Sequence, residues 1–464
     1  MLQHWRQALH LEPPDGWLND PNGLCWFGGQ YHVYFQYAPG TPDGTAPKCW
    51  GHYTSPDLLH WQYRGIPLRP DTPQDYGGVY SGCAVPNGDT LHLYYTGNVK
   101  ERGSYDYITA GRQSNVLHTA TRDGQRTGPK SCVLTNADYP GNCTLHVRDP
   151  KVWRDSEGWW MVLGARARPD VRIAKGDYGE VLLYRSADGL AWRFAGSMTT
   201  PRPFGYMWEC PDWFPLGDQW VLSVSPQGLP HGELAWQNVY QSGWFAAPGP
   251  AAFLASPAPL AGAFTEWDHG FDFYAPQTFS APDGRRLMLG WMGMPDAGYQ
   301  NPTAQAPGGW QHCLSLPREL GLQNGTICQA PLRELLTLRG APHGLSNGDT
   351  ARIGLPFTLT AAPRSSFSVT LGGGLHVDWN AITELATLRF TSQALGGGRT
   401  IRRAPLDHCE SVQMIVDRSS VEIYLNGGAC VFSTRFYPLP GPLSVSLTGT
   451  AATWYRMNDM TFAL

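Results

Sequence analysis

Three short segments of the sequence each place a carboxylic acid beside a proline, among polar and aromatic neighbours. The segments are GWLNDPNG at 16–23, HVRDPKVW at 146–153 and YMWECPDWF at 206–214. Their acids are Asp20, Asp149 and Glu209. Two carboxyl groups on either side of a glycosidic bond are the usual apparatus of a glycosidase, in which one protonates the leaving oxygen and the other attacks or activates water.

The first acid, Asp20, lies in a segment whose backbone is restricted. Pro21 fixes its own φ and pushes Asp20 towards an extended conformation. Asn22 and Gly23 are turn residues, and we expect them to reverse the chain. A carboxylate on such a stiff loop would be held without rotamer freedom. Taken alone, the same four residues are also common in ordinary surface turns.

The second acid, Asp149, follows Arg148 directly. Adjacent residues of a strand point to opposite faces, so a local twist or a bulge must aim the two side chains if both reach one site. A nearby arginine would keep Asp149 ionised. As an isolated Arg-Asp-Pro sequence, the pair is equally typical of a surface ion pair.

The third acid, Glu209, has Trp208, Cys210 and Pro211 as neighbours. Apolar surroundings disfavour the charged form of a carboxyl group, and a protonated carboxyl group is what a general acid requires. The alternative is a partly exposed glutamate at the end of an aromatic strand.

The composition excludes several classes of protein. The 464 residues include 54 Gly and 39 Pro, which argues against helical bundles and long coiled coils. The net charge is −4 and no basic run is present, so we expect no nucleic-acid partner. No apolar stretch is long enough to span a bilayer, and we expect no membrane association. Scattered cysteines and the lack of a secretion signal at the N-terminus favour a cytoplasmic location.

Short apolar and aromatic runs alternate with turns along the whole chain, which predicts an all-β fold. Turns of related sequence recur around Asp57, Asp123, Asp188 and Asp283. The spacing of the first three suits the four-stranded blades of a β-propeller, although unrelated hairpins would produce a similar pattern. If it is a propeller, the inner strands converge on one axis, and acids from three blades would meet in a central pocket.

The pattern of polar and apolar residues in the sequence changes near residue 325. We predict a catalytic propeller domain over 1–325, a linker over 326–350 and a second domain over 351–464. The second domain contains strands of alternating polar and apolar residues, such as those around the Asn-Gly-Gly turn at 426–428. Paired strands of this kind are typical of a β-sandwich.

Together the three acidic motifs resemble those of glycoside hydrolase family 32, the β-fructofuranosidases, in particular its intracellular bacterial sucrose and sucrose-6-phosphate hydrolases. The resemblance covers nearly the whole chain. It includes W-x-N-D-P-N-G at 17–23, R-D-P at 148–150 and E-C-P at 209–211, and further segments such as CWGH, DFYAPQTF and LPREL. VDRSSVEIYLN at 416–426 is similar to the second domain of that family.

The resemblance implies a five-bladed β-propeller followed by a β-sandwich, and it implies roles for particular residues. Asp20 matches the nucleophile, Glu209 the acid/base and Asp149 a stabiliser of the transition state. The residues that match the fructose subsite are Trp17, Asn19, Gln36, Trp50, Ser81, Arg148, Tyr274 and Trp291. Tyr80, where the family commonly has Phe, is expected to line the subsite with them. We expect no cofactor and no metal, and a small carbohydrate as the only partner; the sequence does not indicate an oligomeric state.

The implied reaction is a double displacement with retention, for which the Asp20 and Glu209 carboxyl groups should lie about 5–5.5 Å apart. Sucrose is the expected main substrate, with short fructo-oligosaccharides also possible. The alternatives are a sucrose-6-phosphate hydrolase, a fructosyltransferase, an inverting hydrolase of arabinan or xylan, and an inactive carbohydrate-binding protein on the same scaffold. Lys100, Arg102 and Arg112 could reach a phosphate, although solvated surface charge is the simpler interpretation.

Overall fold

A computed structural model describes residues 2–169, 176–323 and 325–464, which fold almost entirely into β-strands. The predicted all-β class is confirmed. Helices among the described residues are short: α1 is Pro250–Ala255, α2 is Gln393–Gly396, and 3₁₀ turns cover Gln3–Trp5, Asn136–Asp138, Pro302–Gln305, Arg333–Leu338 and Asn426–Gly428. None of the helices in these ranges is long and apolar enough to cross a bilayer.

The first part of the chain forms five sheets, each built around four antiparallel strands that follow one another in sequence. Their strands, with one short additional strand, β19, are β1 Gly16–Phe27, β2 Gln30–Ala38, β3 Cys49–Ser55, β4 His60–Tyr63, β5 Val79–Asn87, β6 Thr90–Lys100, β7 Arg112–Thr121, β8 Ser131–Leu134, β9 Cys143–Asp155, β10 Gly158–Ala167, β11 Tyr178–Ser186, β12 Arg193–Met198, β13 Met207–Leu216, β14 Gln219–Gln227, β15 Gly243–Ala247, β16 Thr265–Glu266, β17 Tyr274–Ser280, β18 Arg286–Trp291, β19 Trp310–Gln311, β20 Arg318–Gln323 and β21 Thr326–Pro331.

The first strands of the five sheets contact one another in a closed cycle. Strand β1 contacts β5, β5 contacts β9, β9 contacts β13, β13 contacts β17, and β17 contacts β1 again. Side chains at corresponding positions of these five strands can therefore face one shared centre, although they are far apart in the chain.

Turns are present at all four of the aspartates predicted from recurrent sequence, and three of these turns occupy the same place in their sheets. Asp57, Asp123 and Asp188 each follow the third strand of a sheet, and each carboxylate accepts the backbone N–H groups two and three residues further on. Asp283 instead lies in the turn between the first two strands of the fifth sheet, so it does not share the repeat of the other three. In the fourth sheet the corresponding connection is a long segment that contains α1.

The rest of the chain forms two six-stranded sheets that share one apolar core. The strands are β22 Arg339–Leu345, β23 Thr350–Ile353, β24 Phe357–Ala361, β25 Phe367–Leu371, β26 Leu375–Asn380, β27 Leu385–Phe390, β28 Ile401–Pro405, β29 Val412–Val416, β30 Ser420–Leu425, β31 Cys430–Arg435, β32 Leu443–Thr448 and β33 Ala452–Met457. Alternate residues such as Val369, Leu388 and Val445 are buried because a strand with one covered face turns every second side chain towards the core.

Both ends of the chain tie the two parts together. A last strand, β34 Thr461–Ala463, pairs in parallel with β4. Near the N-terminus, the buried imidazole of His10 lies 2.7 Å from Asp417 and 3.0 Å from Glu422. Glu422 also accepts hydrogen bonds from the buried guanidinium of Arg318. Buried charges are tolerated here because each is paired and hydrogen-bonded.

Candidate active site

Most of the residues predicted for the site lie on the first strands of the five sheets. Trp17, Asn19 and Asp20 are on β1, Gln36 on β2, Trp50 on β3, Tyr80 and Ser81 on β5, Arg148 and Asp149 on β9, Glu209 on β13, Tyr274 on β17, and Trp291 ends β18. Because these first strands contact one another in a cycle, residues from β1, β5, β9, β13 and β17 are brought to one place.

Bulges aim the side chains at that place. Asp149, Cys210 and Ala275 have φ values of 65°, 48° and 48°, and the pairing of their strands shifts register there. A left-handed residue at a bulge turns its side chain out of the regular alternation. The bulge expected at Asp149 is therefore present. The turn expected at Asn22–Gly23 is not: β1 continues through it as a bulged strand, with Gly23 at φ 54°.

Asp20 is held by a chain of amide and hydroxyl groups. The Ser81 hydroxyl donates to Oδ2 of Asp20. Gln36 donates to Ser81 Oγ at 2.7 Å, and Asn19 donates to Gln36 Oε1 at 2.6 Å and to Asp20 Oδ1 at 3.2 Å. The Trp17 indole in turn donates to Asn19 at 3.0 Å. This network fixes the rotamer of the carboxylate, which is what a nucleophile requires.

Cys210 connects the two aspartates. Its thiol lies 3.6 Å from Oδ2 of Asp20 and 3.6 Å from Oδ2 of Asp149, and its backbone N–H donates to Asp149 at 3.0 Å. Thr96 accepts the backbone N–H of Asp149 at 2.8 Å. Arg148 lies 2.6 Å from Glu209 and 4.0 Å from Asp149, so the three predicted carboxyl groups surround one small volume.

Glu209 has a polar environment rather than the apolar one expected from its neighbours in sequence. Arg148 donates to Oε1 from Nε at 3.0 Å and from Nη2 at 2.6 Å. Oε2 accepts from the Tyr274 hydroxyl at 2.6 Å and from Gln227 at 2.7 Å. Trp208 points away into an apolar cluster, since consecutive side chains of β13 face opposite sides.

Burial dominates the electrostatics of both aspartates. It raises the pKa of Asp20, and the nearby charge of Glu209 adds to the rise. Burial also raises the pKa of Asp149 to about 7, although Arg148 opposes this. Arg148 favours the ionised form of Asp149, as expected, but burial outweighs it, because the guanidinium binds Glu209 and lies 4.0 Å from Asp149.

Aromatic rings form one wall of the site. Trp291 contacts Trp17 and Tyr274 edge to face, with ring centroids 5.9 and 6.3 Å apart. The Nε1 of Trp291 is buried without a hydrogen-bond partner, and so is Nδ1 of the adjacent His312. Trp50 stands behind the site: it is fully buried and donates its indole N–H to the carbonyl of Tyr80 at 3.0 Å.

Several residues of the site were not found from the sequence. Gln227, Thr96 and His312 belong to strands or loops without an acidic motif, and nothing in their local sequence marks them. Cys210 was noted only as an apolar neighbour of Glu209. Among the residues that the structure describes, no group of three or more potential metal ligands is close enough together to hold an ion.

An all-β scaffold that gathers three carboxyl groups, one buried and two partly exposed, beside an aromatic wall has the arrangement of a glycoside hydrolase. The family comparison agrees. Residues 10–331 match the glycosyl hydrolases family 32 N-terminal domain, and residues 375–458 match the family 32 C-terminal domain. The chain belongs to glycoside hydrolase family 32.

Individual relatives resemble the chain over nearly its full length. A sucrose-6-phosphate hydrolase of Escherichia coli is 38% identical over 460 residues, which is 95% of this chain and 91% of that protein. The solved structure of a sucrose-6-phosphate hydrolase from Lactobacillus gasseri superposes with a TM-score of 0.87 at 26% identity, covering 98% of this chain and 94% of that one. A Bombyx mori β-fructofuranosidase gives 0.84 at 28% identity, covering 99% and 95%.

Proposed function

We propose that the protein is a retaining β-fructofuranosidase that hydrolyses terminal β-D-fructosides, with sucrose and short fructo-oligosaccharides among its substrates. Family membership supports this activity, and so do the sucrose-6-phosphate hydrolases and β-fructofuranosidases that resemble the chain. The observation that carries the proposal is the shared contact of Asp20 and Asp149 with Cys210, directly beside Glu209.

In the proposed reaction, Asp20 attacks the anomeric carbon of fructose while Glu209 protonates the departing oxygen. Water then hydrolyses the fructosyl-enzyme, with Glu209 acting as base. Asp149 stabilises the positive charge that develops on the ring. The hydrogen bonds from Ser81 and Asn19 support the role of Asp20, because they hold its carboxylate in a single orientation.

The remaining subsite residues are proposed to bind the fructosyl unit. The rings of Trp291, Trp17 and Tyr274 form the aromatic wall against which the sugar is proposed to pack. Asn19, Gln36, Tyr80, Ser81 and Arg148 are proposed as polar contacts, with Trp50 supporting the Tyr80 backbone. The predicted separation of about 5–5.5 Å between the Asp20 and Glu209 carboxyl groups stays a prediction.

The proposed domain division is the predicted one: a five-bladed propeller over 1–325, a connector over 326–350 and a β-sandwich over 351–464. The cyclic contacts of the first strands support the propeller. Within the connector, β21 adds to the fifth sheet and β22 to one of the six-stranded sheets. A cytoplasmic location is proposed on the ten free cysteines and the kind of relatives found.

The test is sugar release from sucrose by the purified protein and by two isosteric variants. Asp20→Asn is expected to lower kcat by about 10³-fold or more, and Glu209→Gln by about 10²–10⁴-fold, each with an unchanged circular dichroism spectrum. Near-full activity of either variant would show that the residue does not have the catalytic role proposed for it. A wild-type protein that binds sucrose without cleaving it would instead be a carbohydrate-binding protein.

Two product measurements separate the remaining alternatives. Retention predicts that the first fructose released has the β configuration, whereas an inverting hydrolase would release the α anomer. Hydrolysis predicts equal release of glucose and fructose at high sucrose concentration. A marked excess of glucose would indicate a fructosyltransferase, in which sugar replaces water as acceptor.

A further inference from the structure

A group of four residues with proline in third place recurs at the site in three first strands. In each tetrad a residue of the proposed site comes first, a residue with positive φ second, and a polar or charged residue last. The pairing of each strand shifts register between the first and last residues, so each tetrad spans a bulge. The tetrads are 148–151 on β9, 209–212 on β13 and 274–277 on β17. Their last residues have no part in the function proposed above.

The backbone inside each tetrad is held in an unfavourable conformation. A left-handed φ is costly for any residue that has a Cβ, and a following proline restricts the residue before it to extended conformations. Asp149, Cys210 and Ala275 each precede a proline, with φ values of 65°, 48° and 48°. Such a conformation persists only where the surrounding structure fixes it. The bulges that aim the catalytic carboxyl groups therefore need contacts at both of their ends.

The last residues of the tetrads, Lys151, Asp212 and Gln277, bind one another and are called the anchor triad below. The ammonium of Lys151 donates to Asp212 Oδ2 at 3.0 Å, to Gln277 Oε1 at 3.1 Å and to the carbonyl of Thr278 at 2.6 Å. These bonds use all three of its donors. Asp212 Oδ2 also accepts the backbone N–H and the hydroxyl of Thr278, both at 2.7 Å. One lysine thus ties three of the five first strands together.

Gln277 connects the anchor triad to the catalytic carboxyl groups through the backbone of one residue. Its Nε2 donates to the carbonyl oxygen of Cys210 at 3.0 Å. The backbone N–H of the same Cys210 donates to Asp149 at 3.0 Å, and its nitrogen forms the peptide bond with Glu209. A shift of the Cys210 backbone would therefore change the placement of Asp149 and Glu209 relative to each other.

We propose that Lys151, Asp212 and Gln277 are positioning residues of the enzyme, which fix the ends of three bulges and thereby place the carboxyl groups of Asp149 and Glu209 for catalysis. The inference rests on the proposed β-fructofuranosidase activity and deepens it. The anchor triad acts through Cys210 and needs no contact with the substrate. Its loss is therefore expected to slow the chemical step and to leave substrate binding largely unchanged.

The test is steady-state kinetics on sucrose for Lys151→Met and Gln277→Met, which remove the hydrogen bonds and keep much of the side-chain volume. Each is expected to lower kcat by about 10- to 100-fold while KM stays within about threefold. Because both residues act through one chain of contacts, the double variant should lose little more than the slower single variant. Gln277→Met should also move the acidic limb of the pH profile of kcat/KM upwards, because the Cys210 N–H lowers the pKa of Asp149.

Lys130 offers a matched control, because its ammonium makes a similar tie away from the catalytic carboxyl groups. It lies 2.6 Å from Asp71 and 2.7 Å from Asp75, and its side chain is about as buried as that of Lys151. Lys130→Met is expected to lower the midpoint of thermal unfolding, as Lys151→Met does, but to leave kcat and the pH profile unchanged.

The outcomes are distinguishable from failure of the proposed function. If the wild-type protein does not cleave sucrose, the β-fructofuranosidase activity itself is wrong. If it cleaves sucrose and the folded Lys151→Met and Gln277→Met variants keep a near-wild-type kcat, the positioning role is wrong. An equal loss of kcat in Lys130→Met, or a slower Gln277→Met with an unchanged pH profile, would show a structural role only and likewise overturn the proposal. If Lys151→Met does not fold, Gln277→Met decides, since it removes no charge.

Discussion

Replacing Asp149 by asparagine is expected to stabilise the protein at neutral and alkaline pH while it abolishes turnover. In the native protein this carboxyl group is buried and close to the charges of Asp20 and Glu209, and these effects raise its pKa to about 7. Ionisation of Asp149 is therefore less favourable in the folded protein than in the unfolded chain. Asparagine keeps the shape and an acceptor for the Cys210 N–H but removes the charge.

The sign and size of the expected change in the free energy of unfolding follow from the linkage between proton binding and folding. A carboxyl group whose pKa is raised on folding binds its proton more tightly in the native state, so stability falls as pH rises from about 4 to about 7. A shift from 3.8 to about 7 corresponds to an upper figure of about 4 kcal/mol. Because part of this rise comes from the charges of neighbouring groups, we expect Asp149→Asn to gain about 1–3 kcal/mol above pH 7 and little near pH 4.

The assay is thermal unfolding of the wild-type protein and the variant at about pH 4.5 and about pH 8. The midpoint of Asp149→Asn should exceed that of the wild type by a few degrees at the higher pH only. Asp218→Asn, in an exposed turn, is the control for the change of charge and should show no such difference. An equal or lower midpoint for Asp149→Asn at about pH 8 would refute the reasoning that burial makes this carboxylate costly.

The other predictions concern different parts of the molecule. Although burial opposes it, hydrogen bonds and charges from Asp417 and Glu422 raise the pKa of His10 to about 9. The folded pKa lies above the unfolded one, so this stabilisation is complete below about pH 6.5 and is lost as pH rises through 9. The difference in unfolding free energy between wild type and His10→Gln, measured by thermal unfolding, should therefore shrink by about 2–3 kcal/mol over that pH range. A difference that stays constant would contradict the pairing of a charged His10 with Asp417 and Glu422. A Cβ on Gly293 would lie 2.2 Å from Nε1 of Trp291, so Gly293→Ala should displace that ring and raise KM for sucrose several-fold; unchanged kinetics would argue against Trp291 as part of the pocket.

The contiguous motifs made much of the site predictable. Asp20, Asp149 and Glu209 each stand in a short segment whose proline and polar neighbours are unusual, and the structure brings all three together. The bulge at Asp149 was also expected, because Arg148 and Asp149 could not otherwise reach one side of the strand. The acidic motifs and the bulge depend on residues that are neighbours in the chain, so a short stretch of sequence is enough to predict them.

What the sequence did not reveal depends on residues from distant strands. The polar environment of Glu209 is set by Tyr274 and Gln227, which are distant from it in the chain. The apolar residues next to Glu209 in the sequence therefore predict the wrong environment. The continuity of β1 through Asn22–Gly23 depends on pairing with β2, which outweighs the turn preference of these residues.

The same limitation applies to the fold. The turns at Asp57, Asp123 and Asp188 recur because three sheets use the same connection, whereas Asp283 has a similar sequence in a different connection. The strand pattern and the family resemblance both place the segment at 416–426 in the second domain. Its acids, Asp417 and Glu422, bind His10 across the boundary between the two parts of the chain, which no local pattern indicates.

The most direct test of the central claim is to trap the covalent intermediate. Glu209→Ala removes the proton donor, so natural sucrose should react very slowly, but a fructoside with a leaving group that needs no protonation should still transfer its fructosyl unit. Without the base, hydrolysis of the intermediate should be slow. Mass spectrometry of the digested protein is then expected to show one fructosyl unit on the peptide that contains Asp20. An adduct on Asp149, or the absence of any adduct while the activated substrate is consumed, would contradict Asp20 as the nucleophile.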